Sequence, residues 1–128
     1  MRIAMFSAVL AGVAAFLLLG AGIASAGHPV AQLDEGRVGV ELSHTETAAV
    51  AAGPIPAVVS MFVPLSRMGA GLEPDTEIYR DDNGGVHASL RQVILEAARH
   101  PEGTVSVYLN APGTHDGRVL DVYQRWNQ

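Results

Sequence analysis

Five histidines and thirteen carboxylates make metal binding and acid–base catalysis the first chemistries to test in this chain. Transition-metal sites place imidazole and carboxylate ligands at short, repeated spacings, of which His-Glu-x-x-His is the clearest. That spacing is absent. The nearest combinations are His44-x-Glu46, His100-Pro101-Glu102 and His115-Asp116. Two of them have a better local use: Glu46 completes a capping box, and His100 follows a helix, where a cation suits the negative end of the dipole. A calcium loop could begin at Asp81, but its sixth position would be Val86 and its twelfth Gln92. An EF-hand needs glycine for the bend and a bidentate glutamate to close the shell. The 81–85 run therefore reads as turn chemistry, and weak calcium binding by Asp75, Glu77, Asp81 and Asp82 would be adventitious. The expectation is no metal and no cofactor.

With no cysteine in the chain, covalent catalysis would fall to a serine or threonine activated by histidine and an orienting acid, an arrangement that is spatial rather than sequential. No Gly-x-Ser-x-Gly elbow occurs; Ser43 and Ser89 are expected helix caps, and Ser60 lies in an apolar run. If the chain is a small hydrolase, the residues to carry it are His87, His115 and Asp116, with Thr114 beside them. Gly69-Ala70-Gly71 follows no predicted strand and lacks the further glycine or lysine of a phosphate loop. Tyr108, Tyr123 and Trp126 could share one side of a terminal hairpin, where aromatics usually pack rather than bind.

The elements that must position these residues follow from periodicity. Residues 37–42 alternate, with Val38, Val40 and Leu42 on one face, and predict a half-buried strand. Ser43 and Glu46 form a capping box that opens a helix running to Ala52 and ended by Gly53-Pro54. Residues 67–74 read as a turn, and a short hairpin is expected over 76–88. Ser89 and Gln92 form a second capping box, behind which Leu90, Val93, Ile94, Ala97 and Ala98 fall on a helical template that His100-Pro101 ends. Residues 104–109 and 118–126 predict a terminal hairpin. Between them the 110–117 loop is longer than a tight turn requires, which marks Asn110, Thr114 and His115 as contact candidates. About five short, mainly antiparallel strands and two or three helices amount to a small single α+β domain over 36–128.

Residues 47–66 carry no charge. Prolines at 54, 56 and 64 oppose one continuous spanning helix. Either the segment passes through the core as two helices, or it presents an apolar surface, with Ile55, Val58, Val59 and Phe62 as contact candidates.

At the N-terminus, Arg2, the apolar run 5–19 and Ala24-Ser25-Ala26 read as a signal peptide cleaved after Ala26, the alternative being a retained anchor. Residues 27–35 then read as a flexible lead-in. The chain carries a net charge of −5, and removal of Arg2 makes the remainder more acidic, which disfavours nucleic acid as a partner. The alanine-rich leader, a basic set made only of arginine and a cysteine-free domain of about 100 residues resemble small exported proteins of actinobacteria. That resemblance implies a location in the envelope or medium and supplies no activity. The expected function is non-enzymatic, through contacts with a protein or envelope component. The alternatives are membrane activity or self-assembly through 47–66, and hydrolysis.

Overall fold

The computed structural model describes residues 27–127. The leader expected over 1–26, with its cleavage site, lies outside the described residues. The described chain forms an α+β domain in the order β1 (His28–Gln32), β2 (Arg37–Glu41), α1 (His44–Ala52), α2 (Ile55–Phe62), β3 (Met68–Gly71), α3 (Leu90–Arg99), β4 (Thr104–Asn110) and β5 (Leu120–Arg125). The five strands make one sheet in the order β1-β2-β4-β5-β3, antiparallel throughout except for the parallel pair of β3 with β5.

Register explains why the helices cover one face only. Val38, Leu109, Leu120 and Met68 form one row across four strands, and Val40, Val107, Val122 and Ala70 form another. Against these rows pack the inward residues of the helices: Val50 and Ala51 of α1, Val59 of α2, and Leu90, Val93, Ile94 and Ala97 of α3. The opposite face carries Gly39, Tyr108, Asp121 and Gly69 in one row and Glu41, Ser106, Tyr123 and Gly71 in the next. Both capping boxes form: Ser43 Oγ accepts from the Glu46 amide at 3.2 Å, and Ser89 Oγ accepts from the Gln92 amide at 3.2 Å, each with the reciprocal side-chain bond. The helices are also tied to the sheet and to each other by buried polar groups. Thr47 Oγ1 accepts from Val105 N–H, and Arg91 donates to the Ala51 and Gly53 carbonyls that α1 leaves open at its C-terminus.

Three segments differ from the sequence expectation. Residues 27–35 are not a flexible lead-in: His28–Gln32 pair along all of β2, and a 3-10 turn at Leu33–Glu35 with Gly36 at φ 68° closes the hairpin. This strand is half exposed, so it has no hydrophobic alternation to read, and Pro29 is tolerated because an edge strand need not donate on both sides. The turn expected over 67–74 contains β3, whose glycines hid it from propensity. The 76–88 hairpin reduces to an isolated bridge between Arg80 and Val86.

Candidate functional site

The uncharged 47–66 stretch divides between core and surface. Thr47, Val50, Ala51, Pro56 and Val59 are buried, and Ile55 and Val63 pack half-buried against the core. The outer side of α2 and the turn after it expose Val58 (36 %), Met61 (78 %), Phe62 (72 %) and Leu65 (58 %). Val59 therefore drops out of the predicted contact residues, and Ile55 contributes only at its margin. Of the described helices, none is long and apolar enough to cross a membrane.

The candidates for acid–base chemistry occupy separate settings. His87 Nε2 lies 3.0 Å from Asp81 Oδ2 and its ring sits against Tyr79, at 5.1 Å between centroids. His115 Nε2 donates to the Glu35 carbonyl at 2.8 Å. The Asp116 side chain is 99 % exposed, 4.0 Å from Arg118 Nη1, and Thr114 Oγ1 donates to the Ala111 carbonyl. Among the described residues no hydrogen bond, ion pair or ring contact joins His87 to the His115 loop. His115 and Asp116 both hold positive φ, at 52° and 56°, and the turn is closed by the Gly117 amide on the Thr114 carbonyl and the Arg118 amide on the His115 carbonyl. Asn110 is buried, with Nδ2 donating to the Arg118 carbonyl and to Asp121 Oδ2, and is removed from the contact surface.

Two of the four carboxylates weighed as calcium ligands, Asp75 and Asp81, are used within the fold. Asp81 accepts from the Asn83 and Gly85 amides and so builds its own turn; Asp75 accepts from Trp126 Nε1 and Asn127 Nδ2. Among the described residues no three His, Asp or Glu side chains converge as metal ligands. Trp126 stacks on His100 at 3.9 Å, whereas Tyr108 and Tyr123 meet each other, so the three rings pack as two separate groups. Tyr108 and Tyr123 meet edge to face at 5.7 Å under the Arg37 guanidinium, which lies 4.3 Å from the Tyr108 centroid and donates to the Tyr123 hydroxyl. Gln32 and Glu35 take up the remaining edges of Arg37, which makes this a satisfied structural cluster.

Sequence reasoning gave no sign of the principal concavity, a cleft of about 560 Å³ along the outer edge of β3. On the helix side it is lined by Val86, Ala88, Leu90 and Val93; on the open side by Arg118, Asp121 and Tyr123. Arg118 Nε donates to Asp121 Oδ1 at 2.8 Å, a bond that holds the guanidinium more firmly protonated than usual. A Cβ on Gly69 would collide with Arg118 and Asp121, and one on Gly71 with the Tyr123 ring. The glycines thus let these side chains lie directly over the edge strand.

No protein-family model matches this chain, and comparison with curated proteins and with solved structures finds no match.

Proposed function

We propose that this chain is an exported, non-enzymatic contact domain that acts on a protein or envelope component through the outer face of α2 and the turn that follows it. The observation that supports the reading is the clustering of Val58, Met61 and Leu65 on the surface, next to the buried Val59, in a stretch without charge. Exposed apolar residues gathered on one element mark interaction sites, whereas single ones do not. Among the described residues, the large exposed apolar residues away from this element, Leu33 and Tyr79, stand on separate segments.

The test compares the chain with a Met61→Ser, Leu65→Ser variant by light-scattering mass and by binding to anionic vesicles. Both positions are exposed, so stability should change by no more than about 0.5 kcal/mol. Concentration-dependent mass, or vesicle binding, that the variant loses supports the contact surface, with vesicle leakage marking the membrane-active form of the same reading. A wild type that stays monomeric, ignores vesicles and matches the variant in both assays counts against it.

A further inference from the structure

The sheet ends at β3, and what lies beyond its free edge bears on what the domain binds. β3 pairs with β5 on one side and has no strand on the other among the described residues. The Arg67 carbonyl accepts from the Val119 amide, so odd-numbered residues of this strand face β5. The alternation of a strand then directs the N–H and C=O of Ala70, and the C=O of Met68, outward into the cleft. Proteins commonly blunt such an edge with lysine, proline or a bulge. Met68–Gly71 has none of these.

The cleft has two chemically distinct halves, and they fall on the two faces of the sheet. Val86, Ala88, Leu90 and Val93 lie on the helix side, and Arg118 and Tyr123 lie on the open side, over Gly69 and Gly71. A strand added to β3 would place alternate side chains in the two halves. On the open side, Arg118 is paired with Asp121 through Nε at 2.8 Å and Nη2 at 3.5 Å, which leaves Nη1 with only a 4.0 Å contact to the exposed Asp116. That nitrogen offers donors to a carboxylate. Opposite the edge, Gly84, Gly85 and Val86 form the far wall of the cleft. Four residues of β3 at about 3.3 Å each give an edge of roughly 13 Å.

From this geometry we infer that the β3 cleft captures an extended peptide segment by strand addition, its apolar side chains facing the helix layer and alternating with an acidic residue at Arg118. Main-chain bonds to Ala70 and Met68 supply affinity, and the two halves of the cleft supply the choice of sequence. The inference rests on the reading of the chain as a contact domain and names a second surface and its ligand class.

The probe is a capped heptapeptide of alternating valine and glutamate, titrated into the isotope-labelled chain and followed by amide NMR. The expected result is saturable binding below about 1 mM, with shifts concentrated at residues 68–72 and 84–88 and slower exchange of the Ala70 amide. A peptide N-methylated along the pairing edge should bind at least tenfold more weakly, and a valine–glutamine peptide several-fold more weakly. Equal binding of the N-methylated peptide, shifts centred elsewhere, or no shift at millimolar peptide would overturn the inference. Because N-methylation reads main-chain pairing at β3, whereas the previous test reads the Met61 and Leu65 side chains, the two readings fail separately even though Leu65 also lines the cleft.

Discussion

Glu96 is the carboxylate on which three segments converge. It accepts from the Thr76 hydroxyl, from the Glu77 amide at 2.8 Å and from Gln124 Nε2 at 2.8 Å, so the loop after β3, helix α3 and strand β5 meet at one side chain. Burial pushes its pKa up, but the bonds from Thr76, Gln124 and Glu77 outweigh that, and the net shift is downward. A carboxyl group with a lowered folded pKa stabilises the fold above its unfolded value, and this contribution disappears as pH falls through the folded one. Glu96→Gln should therefore cost about 1–2 kcal/mol at neutral pH. The difference between the two proteins should shrink steadily below about pH 4.5, as chemical denaturation across that range would show. A constant difference down to pH 2 would mean that the charge contributes nothing.

At the scale of elements, β2 is held against β4 by a close approach that only glycine permits. A Cβ at Gly39 would strike the Val107 carbonyl and the Tyr108 ring, so Gly39→Ala should lower stability by about 1–3 kcal/mol and loosen the Arg37 stack on Tyr108. Thermal unfolding together with the near-ultraviolet circular dichroism of the tyrosines measures both effects. The same close approach shows what could be read in advance. Alternation located β2 and β4, and the two capping boxes located α1 and α3, because those signals are local and each element has one apolar face. Strand β3 has two glycines in four residues and pairs with the remote β5, and β1 is half exposed, so neither carries a hydrophobic alternation of its own. The candidate surfaces divide likewise. The uncharged run that supplies the α2 face was visible, although periodicity did not separate buried Val59 from exposed Val58. The cleft was not visible, since it is built from β3, the loop after it, α3 and β5 at once.

For the whole molecule, one face of the sheet is occupied by helices and the other is closed by its own polar and aromatic side chains, as in the Arg37, Tyr108 and Tyr123 cluster. Among the described residues, exposed apolar side chains gather in two places, the face of α2 and the helix-side half of the β3 cleft, while Leu33 and Tyr79 stand alone. Leu65 belongs to both, being exposed after α2 and lining the cleft. The two proposed contact surfaces therefore adjoin at Leu65. The histidines instead serve local geometry: His44 Nδ1 bonds the Gly103 carbonyl, His100 stacks on Trp126, and His115 holds the Glu35 turn.

Site-specific photo-crosslinking in the cells that make the protein tests this division most directly, with the crosslinking residue placed at position 61, 65 or 115 in turn. If the α2 side carries the contacts, discrete adducts form from positions 61 and 65 and none from 115. Adducts confined to 115 would contradict that division and return the 110–117 loop to the centre of the search.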